Sequence, residues 1–223
     1  MSINIAIDGP AGAGKSTIAR EVAKKLGFIY VDTGALYRAT ALFVLQRNID
    51  PYDSDRVNAV LPMADVELRY VGGEQMVYLC GENVSRVIRT PEVSKAASSI
   101  SANPKVREML FDLQQDIAYS NNVVMDGRDI ATVILPDAQI KIFLTATAEE
   151  RAARRYNELT EKGMKVSYED VLEDVKARDY QDEHRAIAPL KQAADAVLVD
   201  TTGKNLQEAT DLVLAVVSEN MPL

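Results

Sequence analysis

Short apolar runs separated by helical stripes organise this chain. Ile3 to Asp8, Phe28 to Asp32, Val123 to Asp126, Lys141 to Leu144 and Ala196 to Asp200 read as β-strands bounded by loops. Helical patterns fill most of the intervals, and strands that alternate with helices predict an α/β fold with a five-stranded parallel sheet. The first helix follows a glycine-rich loop and carries Ile18, Val22 and Leu26 on one face before Gly27 stops it. Asn103-Pro104 and Thr90-Pro91 each place a capping side chain before a first-turn proline. Beyond the former, Val106, Leu110, Leu113 and Ile117 recur at helical spacing. Thr147-Ala148-Glu149-Glu150 and Ser167-Tyr168-Glu169-Asp170 predict capping boxes at the start of two charged helices. The last helix is expected to bury Leu206, Ala209, Leu212, Val213 and Val216.

One stretch departs from the β/α alternation. Val66 to Val71, then Gly72-Gly73, then Glu74 to Leu79 has the alternation and turn chemistry of an antiparallel hairpin, which suggests an inserted subdomain. A substrate-gripping role and a decorative meander both remain open for it. Cys80, just beyond, reads as a small apolar strand residue.

Composition narrows the function classes. Of 223 residues, 47% are hydrophobic and 26% charged, enough to bury a substantial core and stay dissolved. Lys+Arg 25 against Asp+Glu 33 gives a formal net charge of −8, so broad binding to nucleic acid or anionic membranes is not expected. An anionic ligand must then meet locally gathered arginines. With one cysteine and one histidine, an internal disulfide and a Cys/His zinc cluster are excluded by counting. The beginning of the chain shows no signal-peptide pattern, and no apolar run approaches a membrane-spanning length; a cytoplasmic protein is expected.

Gly9-Pro10-Ala11-Gly12-Ala13-Gly14-Lys15-Ser16-Thr17 contains the full G-x-x-x-x-G-K-S pattern, set between a predicted strand and a predicted helix. Its glycines let several backbone N–H groups face one anion, beside the positive end of the new helix dipole. Lys15 supplies a mobile charge for the β/γ-phosphates of ATP, and the Ser16 hydroxyl suits Mg²⁺. Asp126, ending an apolar strand, is placed either to orient Mg²⁺ or to cap the next turn.

The arginines beyond this loop separate the P-loop classes. They group as Arg38, Arg107, Arg128 beside Asp129, Arg151 with Arg154 and Arg155, Arg178 beside Asp179, and Arg185, mostly near loops and helix starts. Bringing two phosphates together requires such neutralisation, and an anionic acceptor needs no general base. A nucleotide-gated switch is the rival class, but no Asn-Lys-x-Asp guanine-selecting sequence occurs. Among kinases, acceptors such as UMP, AMP or shikimate stay open on these grounds.

Taken together, the P-loop, Asp32-Thr33-Gly34-Ala35-Leu36-Tyr37-Arg38, Asp126-Gly127-Arg128-Asp129 and Arg185-Ala186-Ile187-Ala188-Pro189-Leu190 resemble the bacterial cytidylate kinases over nearly the whole chain. The resemblance implies a P-loop nucleoside monophosphate kinase fold. It would comprise a core (about 1–35, 120–147 and 190–223), a monophosphate-binding insert (about 36–119) and a helical lid (about 148–189). It implies ATP as donor, Mg²⁺ as cofactor, CMP and dCMP as acceptors, and a monomer. By resemblance, Arg38 and Arg128 hold the acceptor phosphate, and Ser98, Arg107 and Asp129 read the cytosine edge. Thr33, Arg178, Asp182 and Arg185 would contact sugar and phosphates. Lys15, Arg128, Arg154, Arg155 and Arg178 would act on the moving phosphoryl group. Arg151, Arg154 and Arg155 would close over ATP, although a solvated helix face is the plain alternative for each. The chain departs from some family members in having Gly14-Lys15-Ser16-Thr17 where they have Gly-Lys-Gly-Thr, so which hydroxyl meets Mg²⁺ stays open.

Overall fold

In the computed structural model, which describes residues 2–221, the first apolar run forms β1 (Asn4–Asp8) with all five residues buried. Such a run suits a parallel strand covered on both faces. Helix α1 (Lys15–Leu26) follows and ends at Gly27, whose left-handed conformation (φ 68°) lets its N–H return to Ala23 and Lys24. In chain order come β2 (Ile29–Asp32), α2 (Thr33–Gln46) and α3 (Ser54–Val60). Then follow β3 (Val66–Val71), β4 (Glu74–Leu79), β5 (Glu82–Asn83), α4 (Pro91–Ile100) and α5 (Pro104–Ser120). The chain closes with β6 (Val123–Gly127), β7 (Ile140–Thr145), α6 (Ala148–Glu161), α7 (Tyr168–His184), β8 (Val197–Asp200) and α8 (Leu206–Asn220). The five-stranded sheet has the order β2-β6-β1-β7-β8.

The chain divides into two compact units, one made of residues 3–28 and 123–221, the other of residues 29–122. In the first, β1 runs parallel to β6 and β7, with Asp8 opposite Gly127 and Phe143. That register brings the loops after β1, β6 and β7 to one edge, the carboxyl ends of the strands, where open α/β sheets bind their ligands. In the second, α2, α4 and α5 enclose a core that includes Leu36, Phe43, Ile88, Ile100 and Leu110. The predicted hairpin is present as β3 and β4, paired antiparallel. Gly72 and Gly73 turn it, both at positive φ (62° and 83°), as a two-residue hairpin loop of matching twist requires. Gln75 fastens it to the end of β2: its Oε1 accepts from the Asp32 N–H at 2.8 Å, and its Nε2 donates to the Asp32 carbonyl at 3.4 Å.

Several expectations are corrected. Neither predicted capping box closes: Thr147 and Ser167 accept from the N–H groups of Glu150 and Asp170, but the return half is not made. The Thr147 N–H is already held by the Thr202 hydroxyl at 3.1 Å, and Asp170 is a methylene shorter than the glutamate such a box uses. A complete box forms at Asn205 and Glu208 instead. On α8, Leu206 and Leu212 are exposed and Val216 half-buried, because the inward face runs through Ala209, Thr210, Val213 and Val217. On α5 the deep face is Val106, Leu110, Gln114 and Ala118, with Leu113 and Ile117 half-buried at its side. Gln114 tolerates full burial because its Nε2 donates to the Leu110 carbonyl at 2.7 Å. Cys80 is exposed in the turn after β4 at φ 49°, not an apolar strand position.

Candidate active site

The loop after β1 can be built only from glycine at its tightest point. A Cβ on Gly9 (φ +148°) would stand 1.9 Å from the Leu144 carbonyl oxygen. Gly12 and Gly14 also hold positive φ, 76° and 86°, and α1 starts on Gly14 without a side-chain cap. The loop backbone and the uncapped first turn of α1 thereby form an anion cradle. Lys15 is buried, with Nζ donating to the Pro10 carbonyl at 2.7 Å. Burial, reinforced by the nearby Arg128 charge, pulls its ammonium down to about 7. A polyanion is the partner that would restore its charge.

The Ser16 hydroxyl donates to Asp126 Oδ2 at 2.9 Å, joining the start of α1 to the end of β6. This pair fits Mg²⁺, which takes one or two protein oxygens and completes its shell with phosphate and water. No cluster of three or more acidic, histidine or cysteine side chains suited to a metal occurs among the described residues.

Several other cations of this unit are paired with carboxylates. Arg128 Nε donates to Asp182 Oδ2 at 2.8 Å. Burial works against both charges, yet their mutual attraction and hydrogen bond, with Asp126 and Asp8 acting on Arg128 and Arg178 and Arg185 on Asp182, hold Arg128 above and Asp182 below their ordinary ranges. Arg178 adds to the positive surroundings of Asp182. Arg185 donates to Asp129 Oδ1 at 3.2 Å and to the Ala188 carbonyl at 2.6 Å. Arg154 reaches the Thr201 carbonyl at 3.1 Å and lies over the phosphate loop, its Nη1 3.8 Å from where a Gly14 Cβ would be. Arg155 pairs with Glu158 at 2.8 Å on a partly exposed face of α6. Arg151 is buried and bonded to Asp179, Ala146 and Ala11. His184 is exposed and stacks on Tyr180.

In the second unit, Asp32 is the hub. Its side chain caps α2 by accepting from the Ala35 N–H at 3.0 Å, and its Oδ2 receives Arg38 at 2.9 Å and Arg89 at 3.5 Å. Gly34 leaves room for this pairing: a Cβ there would come within 3.2 Å of both Arg38 Nη1 and Asp32 Oδ1. Arg38 Nε is buried without a hydrogen-bond partner, a donor that an anionic ligand would satisfy. Arg107 is buried, donates to the Ser101 carbonyl at 3.4 Å, and has its guanidinium carbon 5.9 Å from the Tyr37 ring centre. Thr33 is buried at the first turn of α2 and Ser98 half-buried on α4.

Sequence reasoning did not single out Asp8, Asp32, Gln75, Arg89 or Asp179. Asp8 accepts from the backbone N–H groups of Ile130 and Ala131 at 2.9 and 2.8 Å, so it seats the π-helical turn after Gly127-Arg128-Asp129. Burial first, with a contribution from Asp129 against these bonds, raises Asp8 to about 6. The signal for Asp32 was present in its place at the head of the Asp-Thr-Gly-Ala-Leu-Tyr-Arg run.

The profile of the cytidylate kinase family matches residues 5–219. The chain belongs to the cytidylate kinase family. The cytidylate kinase of Caldicellulosiruptor saccharolyticus is 52% identical over 212 residues, covering 95% of this chain and 94% of that protein. The cytidylate kinase of Caldanaerobacter subterraneus subsp. tengcongensis is 51% identical over 220 residues, 99% of this chain and 96% of its own. Among solved structures, an uncharacterized protein from Eubacterium ventriosum superposes with a TM-score of 0.56 at 14% identity, covering 98% of this chain and 99% of that one. A gluconokinase from Sinorhizobium meliloti gives a TM-score of 0.50 at 14% identity over 97% of this chain and 92% of its own. At such identities the structural likeness speaks for the α/β kinase fold alone, and membership of the cytidylate kinase family rests on the sequence matches. No helix among the described residues is long and apolar enough to cross a membrane.

Proposed function

We propose that the chain transfers the γ-phosphoryl group of ATP to CMP and dCMP with Mg²⁺, as a cytoplasmic monomer. The supporting observation is Lys15, buried with its Nζ donating to the Pro10 carbonyl of the glycine loop, where a triphosphate would restore the charge that burial disfavours. In the reaction an oxygen of the CMP phosphate attacks the γ-phosphorus in line, the bond to the β-γ bridging oxygen breaks, and ADP leaves with that electron pair. The attacking oxygen is already ionised, so no base is required.

Gly9 through Thr17 would bind the donor phosphates, with Lys15, Arg154, Arg155 and Arg178 countering charge as it shifts toward the leaving ADP. Ser16 and Asp126 would hold Mg²⁺, which supplies charge neutralisation at the β/γ-phosphates. Arg38 and Arg128 would orient the acceptor phosphate, with Thr33, Arg178, Asp182 and Arg185 around the sugar and phosphates. Ser98 and Asp129 can accept from the cytosine amino group while Arg107 donates to the ring acceptors. Uracil reverses part of that pattern, and one unsatisfied buried group costs about 1–3 kcal/mol, roughly tenfold or more in preference.

A coupled assay of ADP release with CMP, dCMP, UMP, AMP, GMP and shikimate tests this reading. Turnover is expected with CMP and dCMP above all others. Turnover confined to AMP or shikimate overturns the substrate assignment, and absence of acceptor-dependent turnover alongside tight GTP binding overturns the enzymatic one.

A further inference from the structure

Arg151, in the first turn of α6, is held by protein oxygens on every nitrogen of its guanidinium. Its Nε donates to the Ala146 carbonyl at 2.9 Å in the turn before α6. One terminal nitrogen donates to the Ala11 carbonyl of the phosphate loop at 3.0 Å and to Asp179 Oδ1 at 2.8 Å. The other donates to Asp179 Oδ2, completing a bidentate pair on α7. Four of the five guanidinium N–H groups are thus committed to protein oxygens. The residue is 4% exposed. A group so committed has little capacity left for a nucleotide phosphate.

What it joins matters more than its burial. The loop segment it grips lies beside Gly12, where a Cβ would come within 3.3 Å of the Arg151 Cβ, so loop and helix are in direct contact. The helix it grips carries Arg178 next to Asp179, and one turn further on Asp182, the carboxylate that holds Arg128. Arg151 therefore ties the donor-phosphate loop to the helix that positions two of the arginines assigned to the transfer.

We infer that the Arg151–Asp179 pair is a positioning clasp, which sets the phosphate loop at a fixed distance from Arg178 and Arg128, and that Arg151 is not a nucleotide ligand. This rests on the phosphotransfer reading above. In-line transfer is sensitive to small misplacements, so loss of the clasp is expected to act on turnover more than on binding of ATP.

The test compares Arg151→Ala, Arg151→Lys, Asp179→Asn and the double variant Arg151→Ala/Asp179→Asn in the full chain. Readouts are steady-state kinetics with CMP and ATP, ADP affinity by calorimetry, and thermal melting. Each single variant is expected to lower kcat by about 10- to 100-fold. The double variant should fall no further than the worse single one, because both remove one clasp. ADP affinity should change less than about threefold, and lysine, which cannot make the bidentate pair, should not rescue.

Arg151→Ala that raises the KM for ATP and weakens ADP binding while Asp179→Asn does neither would make Arg151 a nucleotide ligand and overturn the clasp. Full activity in Asp179→Asn overturns it too. If Arg151→Ala does not fold, Asp179→Asn decides; should that isosteric variant also lose its melting transition, the pair is structural only and the inference fails. Absence of CMP turnover in the unaltered chain would instead defeat the phosphotransfer reading, a separate result.

Discussion

The two units hold their arginines differently. In the unit built on β1, Arg128, Arg185 and Arg151 each rest on a separate buried or nearly buried carboxylate: Asp182, Asp129 and Asp179. In the unit of residues 29–122, a single carboxylate, Asp32, serves both Arg38 and the half-exposed Arg89. The first arrangement fixes its charges before any ligand arrives, which is what stabilising a short-lived charge distribution calls for. The second leaves capacity to be completed by the ligand, which suits a site that must recognise and release.

Four substitutions or titrations sharpen this contrast. Lys15→Met, on the fixed side, should lower kcat by about 10²- to 10³-fold, measured in the coupled assay, since it removes a desolvated charge aimed at the phosphates. Arg128→Ala leaves Asp182 buried without its partner and should destabilise the fold by roughly 3–5 kcal/mol in urea denaturation. Asp32→Asn, on the adaptable side, removes the anchor of Arg38 and Arg89. It should raise the KM for CMP by about tenfold while that for ATP moves less than about twofold, as loss of one charge-assisted contact implies.

The last effect is a protonic one, and it is gradual in pH. Lys15 sits at about 7 in the fold against an ordinary 10.5, so between those values the unfolded chain holds more protons than the folded one. Stability of the ligand-free chain should therefore rise with pH across that window, by at most about 1.4 kcal/mol per pH unit, and this contribution should level off below about 7, where both states hold the proton. Nucleotide binding above pH 7 should take up protons, visible by calorimetry in buffers of different ionisation enthalpy, and Lys15→Met should abolish the uptake.

The parts legible in the sequence are those set by local backbone chemistry. The phosphate loop was readable because a 1.9 Å approach to Leu144 and repeated positive φ leave only glycine as a solution, and glycines at fixed spacing are visible in one dimension. Gly27, the Gly72-Gly73 turn and the caps at Thr90 and Asn103 were readable for the same reason. The carboxylates behind the arginines were not: Arg128 and Asp182 lie 54 positions apart, and Arg151 and Asp179 lie 28 apart. Nothing local distinguishes Asp179 from its acidic neighbours on α7. The capping boxes show the converse limit, since the pattern at Thr147 is right but the Thr202 hydroxyl, 55 residues on, competes for the N–H it needs.

The most direct test follows the phosphorus. Incubation of the chain with Mg²⁺, CMP and ATP labelled at the γ-phosphate should move the label to the β-phosphate of CDP, with unlabelled ADP formed in equal amount. Label appearing only as inorganic phosphate, or remaining in ATP whatever pyrimidine monophosphate is supplied, would contradict the account.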